Sequence, residues 1–284
     1  MDKHALESLL GRVESLLARW DERLAPAPPI NWAQNLAARW LPENSSLRPI
    51  AHPQRIAARD LLAIDEQKKI VEANTRQFVR GRSANNVLLT GARGTGKSSL
   101  VKAMLTKFSA KGLRLVEVDK AGLIQLPELF DLLSAESYRY ILFCDDLSFA
   151  AEEPGYARLK AALDGSLAAA ADNILIYATS NRRHLMPEFM GDNEQTRHVG
   201  EEVHPAEAIE EKVSLSDRFG LWVSFHPMDQ DAYLVVARHW AAALGAPPAG
   251  DFERQALQWS LARGSRSGRT AWQFARDWAG RMLR

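Results

Sequence analysis

The segment Gly91-Ala92-Arg93-Gly94-Thr95-Gly96-Lys97-Ser98 has the spacing G-x-x-x-x-G-K-S. Glycines at these intervals let the backbone curl until successive N–H groups point at one anion. A lysine ammonium next to the curl reaches the outer phosphates of a nucleoside triphosphate, and the adjoining hydroxyl is placed to ligate Mg²⁺. An apolar run, Val87–Thr90, precedes the segment, and a helix-forming run, Ser98–Phe108, follows it. The positive end of that helix adds to the attraction for phosphate. Gly91, Ala92, Arg93, Gly94, Thr95, Gly96, Lys97, Ser98 and Ser99 are therefore candidate nucleotide ligands, with Lys97 also catalytic and Ser98 also a metal ligand.

Four further groups supply what phosphoryl transfer needs. Tyr140–Cys144 is an apolar run that ends in Asp145-Asp146. Asp145 is expected to hold Mg²⁺ through water, because Mg²⁺ keeps much of its hydration shell. Asp146 is expected to orient and polarise the attacking water. Aspartate is one methylene shorter than glutamate, so the water sits closer or the strand end shifts. Ile174–Ala178 ends in Thr179-Ser180-Asn181. An amide at that tip, between the two earlier strands, can bond the γ-phosphate or the water; Asn181 is favoured, with Thr179 and Ser180 as alternatives.

Arg218, within Ser214–Gly220, offers a planar, permanently charged guanidinium suited to phosphate oxygens. It is expected to serve a neighbouring copy's site, the intrachain alternative being an ion pair with Asp217 or a nearby Glu. Arg269, at the start of the last helical stretch, is placed to touch phosphate from a second domain, with Arg266 as its rival. Cys144 lies inside its strand and reads as a small buried apolar residue.

The elements that must position these groups follow from periodicity. Short apolar runs at Val87–Thr90, Leu113–Val118, Tyr140–Cys144, Ile174–Ala178 and Leu221–Phe225 alternate with helical stretches at Lys97–Phe108, Leu126–Leu133, Tyr156–Ala170 and part of Ala206–Lys212. Strands that are apolar throughout indicate a parallel sheet covered on both faces. Ligands of such sheets sit beyond the carboxyl ends of the strands, where the loop, Asp145 and Asn181 all fall. After Pro227 three helices are expected, over Asp229–Leu244, Phe252–Arg263 and Arg269–Leu283, with Trp240, Trp259, Trp272, Phe274 and Trp278 as their core. At the other end, Asp2–Leu24 is amphipathic, Ala25–Pro29 breaks it, and Asn31–Leu41 reads as a second short helix with Trp32, Leu36 and Trp40 on one face. The expected division is a helical arm (1–48), an αβα nucleotide-binding core (49–226) and a helical lid (227–284).

Composition narrows the function classes. The chain has 284 residues, 46% hydrophobic and 25% charged, which is ordinary for a globular protein, and a net charge of +1 that advertises no nucleic-acid surface. One cysteine excludes an internal disulfide framework, and seven scattered histidines disfavour a zinc enzyme. No apolar run reaches membrane-spanning length, and the first residues lack a signal peptide's apolar stretch, so cytoplasmic residence is expected. Between Asn181 and Arg218 lie over thirty residues, made acidic by Glu188, Asp192, Glu194, Glu201, Glu202, Glu207, Glu210 and Glu211. That segment is a poor DNA-binding surface and reads either as a protein-contact loop or as a solvated one.

These motifs, in this order, resemble the AAA+ ATPases. Gly91–Ser98, Asp145-Asp146, Asn181, Arg218 and Arg269 look like Walker A, Walker B, sensor 1, arginine finger and sensor 2. Leu61–Asp65 resembles the stretch ahead of the loop that lines the adenine pocket, which brings in Leu62 and Ile64. "NNVLLTGARGTGKSSLVKA", "LFCDDLSF", "IYATSNRRHL" and "SLSDRFGLW" are similar to an uncharacterised bacterial AAA+ family, from about Asp60 to the C-terminus. The resemblance implies a three-layer αβα P-loop core with a parallel sheet and a helical lid, ATP and Mg²⁺ as cofactors, and a homo-oligomeric ring or filament in which Arg218 acts in trans. It does not imply a substrate; the leading expectation is ATP hydrolysis coupled to remodelling of a protein partner. The alternatives are a nucleotide-gated switch with little turnover and a DNA-linked ATPase of the helicase-loader kind.

Overall fold

The computed structural model describes residues 29–149, 154–164, 172–181 and 217–282. The helix expected over Asp2–Leu24, the acidic segment and the helix expected within Ala206–Lys212 lie outside the described residues. From the N-terminal side the elements are β1 (Ala37–Leu41), β2 (Ser46–Pro49), α1 (Asp65–Val79), β3 (Val87–Gly91), α2 (Lys97–Phe108), β4 (Leu113–Glu117), α3 (Leu126–Ser134), β5 (Arg139–Cys144), α4 (Pro154–Leu163), β6 (Ile174–Ser180), β7 (Leu221–Phe225), α5 (Gln230–Ala243), α6 (Phe252–Ala262) and α7 (Gly268–Met282).

The seven strands form one sheet in the order β2-β1-β4-β5-β6-β3-β7. Every pairing is parallel except β1 with β2. Side chains alternate between two apolar layers, as strand geometry requires. Leu88, Leu142, Ile176 and Trp40 enter one layer with α3 and α4. Val87, Leu89, Phe143, Tyr177 and Val223 enter the other with α1 and α2. This double coverage explains why the central strands carry almost no polar residues.

The Tyr177 hydroxyl is a polar group that enters the interior with partners. It bonds Thr75 Oγ1 at 2.8 Å and accepts from Asn74 Nδ2 at 3.0 Å, and burial pushes its phenol up to about 12. Asn74 also exchanges bonds with Asn85, pinning α1 to the strand that feeds the glycine loop.

One expectation fails. Asn31–Leu41 is not a helix, and the expected boundary at residue 48 falls inside the sheet. Asn31 forms a turn, its side-chain oxygen accepting from Ala33 N–H at 3.1 Å, and residues 37–41 then run as β1 between β2 and β4. The physical reason is that apolar residues four apart fit a strand as well as a helix, since four is a multiple of both a strand's period of two and roughly one helical turn. Ala38 and Trp40 are buried while Arg39 between them is exposed and pairs with Glu117 of β4 at 2.8 Å. A left-handed Ser45 (φ 46°) closes the turn to β2.

The C-terminal three helices build a separate core from Tyr233, Phe252, Phe274 and Trp278. Asp229 caps α5 by accepting from Ala232 N–H at 2.8 Å. Of the five aromatics expected in that core, Trp272 departs from it. Trp240 packs against the core, and both rings are half-buried and line the cleft between lid and sheet. No helix of the described residues is long and apolar enough to cross a membrane.

Candidate functional site

The carboxyl ends of β3, β6 and β5 open onto a cleft of about 860 Å³ between the sheet and the lid. β6 lies between the other two, so Asn181 at its tip stands between the glycine loop and the acidic pair. The loop owes its shape to backbone space. Gly91 has φ +132°, and a Cβ there would lie 2.0 Å from the Phe225 carbonyl oxygen. Gly91→Ala is therefore expected to destabilise the protein by roughly 2–6 kcal/mol, from left-handed strain plus overpacking against backbone. Urea denaturation measures this; an unchanged midpoint would refute it.

Lys97 opens α2 and is only 5% exposed. Its ammonium donates to Gly91 O at 2.6 Å, Ala92 O at 2.8 Å and Asn181 Oδ1 at 3.0 Å, using all three donors. Burial pushes its pKa below the ordinary lysine range, and the charges of Asp146 and Asp145 act against that shift. The buried cation is thus held at the centre of the loop by carbonyl dipoles and two nearby acids.

The acidic pair is organised by Thr179. Its hydroxyl donates to Asp145 Oδ1 at 2.6 Å and accepts from Asp146 N–H at 2.8 Å. Ser98 Oγ donates to the same Asp145 oxygen at 2.6 Å. Asp146 follows the strand end in the left-handed region (φ 55°), which aspartate tolerates better than most residues. That backbone turns its carboxylate toward Asn181, whose Nδ2 donates to it, and toward Arg93 Nη2 at 3.8 Å. Thr179, a fallback for the amide's position in the sequence, instead bonds the Asp145 carboxylate and the Asp146 backbone.

Leu62, Ile64, Thr95, Ser99 and Arg269 line the cleft. The start of α7 rests on the glycine loop: Arg269 N–H donates to Gly94 O at 3.3 Å, and a Cβ on Gly94 would lie 2.8 Å from Ser267 Oγ. Arg266 lines a neighbouring pocket instead. Arg218 is not brought to the cleft. It precedes the amino end of β7, which runs parallel to β3, so about five residues, or ~17 Å, of strand separate it from the loop's level. Its Nε pairs with Asp164, just past α4, a partner the sequence reading did not name. Cys144 is fully buried, and burial pushes its thiol up to about 12.

Sequence reasoning missed the cleft's indoles and the close approach of His239 of α5 to Asp60, 3.4 Å apart, where the lid meets the segment before α1. One signal was readable: Trp272 follows Arg269 by three residues, so a helix that turns one toward a site turns the other there as well.

The residues present fit Mg²⁺ and a triphosphate. Ser98 Oγ and Asp145 Oδ1 are hard oxygen donors side by side, and Mg²⁺ takes few protein ligands, drawing the rest from water and phosphate. Among the described residues no cluster of three His, Cys, Asp or Glu side chains could hold an ion alone.

The family described as "Protein of unknown function (DUF815)" matches residues 33–282. No curated protein matches the chain. The Thermotoga maritima RuvB Holliday junction branch migration motor is similar over 78% of this chain and 63% of its own, at 14% identity and a TM-score of 0.49. A point variant of the same RuvB gives 0.52 at 13% identity over the same shares. The Aeropyrum pernix Orc1 protein in complex with DNA is similar over 74% of this chain and 58% of its own, at 16% identity and a TM-score of 0.52. The chain spans less than two thirds of the length of these proteins. At such identities the likeness shows the fold alone, which is that of the AAA+ P-loop ATPases.

Proposed function

The chain belongs to the DUF815 family, and we propose that it binds ATP with Mg²⁺ in the cleft, hydrolyses it, and uses that cycle to assemble and to remodel a protein partner. The observation that carries this reading is the convergence of Lys97, Ser98, Asp145, Asp146 and Asn181 through hydrogen bonds at the ends of three neighbouring strands. The nucleotide supplies the transferable phosphoryl group and the cation neutralises its charge. Lys97 exchanges carbonyl partners for phosphate oxygens, a stronger charge-assisted contact. Ser98 and Asp145 hold the cation. Asp146, aimed by its backbone and by Asn181, orients the attacking water, and Asn181 bonds that water or the outer phosphate. Arg269 reaches phosphate from the lid.

Arg218 lies before the amino end of β7 and does not line its own cleft, which supports a role at a neighbouring copy's site and hence a homo-oligomer. In this reading residues 37–226 form the catalytic unit and 227–282 its lid. A protein partner is favoured over nucleic acid by the net charge of +1 and the acidic composition of the 188–211 segment.

Phosphate release measured with and without Mg²⁺ tests the reading. Asp145→Ala is expected to lower the rate about 10–100-fold, with partial recovery in excess Mg²⁺. Turnover indifferent to both the substitution and chelation would refute the metal assignment.

A further inference from the structure

The phosphate chemistry leaves two indoles of the cleft unused. Trp272 sits on α7 three residues after Arg269, so the two share a helix face, and both line the cleft. Trp240 of α5 lines it as well. The two rings meet edge to face, with centroids 4.7 Å apart and planes at 73°. Trp240 is braced from behind: it packs on the lid core, and the ring of His239 lies 5.0 Å away, itself facing Asp60. Trp272 stands outside the lid core and is half-buried. Leu62 and Ile64 bring apolar surface to the same cleft. An indole held edge-on by a second one, with part of its surface left in a polar cleft, is a surface that a flat aromatic ligand would cover.

We propose that Trp272, held in place by Trp240, is the stacking platform for the nucleobase, so that the site reads the base by its π surface and prefers purine to pyrimidine triphosphates. This rests on the ATP-binding reading above. A purine overlaps an indole over two fused rings and a pyrimidine over one, so stacking alone favours the former. α7 begins on the glycine loop, carries Arg269, and a turn later carries Trp272. One helix therefore touches both ends of a nucleotide, and the lid's position responds to a whole nucleotide where inorganic tripolyphosphate would engage only the loop half.

Calorimetric titrations of the parent chain, Trp272→Ala and Trp272→Phe with ATP, CTP and tripolyphosphate, each with Mg²⁺, test this. The parent is expected to bind ATP more tightly than CTP. Trp272→Ala is expected to weaken ATP on the order of tenfold to a hundredfold, to remove the preference over CTP, and to leave tripolyphosphate unchanged. Trp272→Phe should restore most of the ATP affinity. Parent-like ATP affinity in Trp272→Ala overturns the platform and leaves the ATP-binding reading standing. Equal loss of tripolyphosphate and ATP also overturns it, because a base platform does not touch phosphate. A parent chain that takes up neither ligand overturns both readings.

Discussion

Lys97→Ala is expected to lower ATP turnover by at least about 10²–10³-fold, the loss typical when one fixed donor is removed from a developing negative charge. The structure explains why the effect should be large. The ammonium is buried, all three of its protons are already directed, and its acceptors are the loop carbonyls and the Asn181 side chain. Removing it takes away the one buried cation of the loop and also frees Asn181, which positions Asp146. Lys97→Arg is not a rescue in this account. A planar guanidinium cannot converge on three acceptors arranged for a compact ammonium. Both variants should remain folded, with denaturation midpoints near the parent's. A Lys97→Ala protein that turns over within a few-fold of the parent would contradict the placement of the phosphates.

Arg218→Ala is expected to bind ATP as the parent does yet hydrolyse it about 10³-fold or more slowly under assembling conditions, the range seen when an arginine supplied from outside a phosphate site is removed. Its distance from its own loop makes the defect intermolecular. Mixing Arg218→Ala with Asp146→Asn should therefore recover part of the activity, because the first supplies intact clefts and the second intact arginines. Asp164 provides the control. It pairs with Arg218 within the chain, so Asp164→Asn takes away that charge partner while keeping the arginine and should leave turnover at or above the parent's. Loss of activity in Asp164→Asn equal to that in Arg218→Ala would instead make the pair a structural strut.

The elements that carry chemistry were legible because their constraints are local. Val87–Thr90, Lys97–Phe108 and Leu221–Phe225 are apolar or helix-forming over their whole length, and the structure ends them within a residue of where the pattern does. The glycine loop was legible because only glycine fits where a Cβ would meet backbone, as at Gly91. What escaped depended on partners far away in sequence. β1 is a strand because β4 and β2 offer it ladder bonds, and its four-residue spacing of apolar side chains suited either state. Thr179 could not be told from Asn181 by type, since its bonds to Asp145 and Asp146 arise only when β6 lies beside β5. Trp272 looked like lid core because a helix's own periodicity does not say which neighbour it will face.

In the proposed reading Mg²⁺ and a triphosphate lie together where β3, β6 and β5 end, centred on the Lys97 ammonium. Equilibrium dialysis of the folded chain against labelled ATP, with Mg²⁺ and then with a chelator, tests it most directly. Saturable uptake of about one ATP per chain is expected, weakening on chelation and disappearing in Lys97→Ala. Folded protein that retains no ATP in the presence of Mg²⁺, or retains it equally without Lys97, would contradict it.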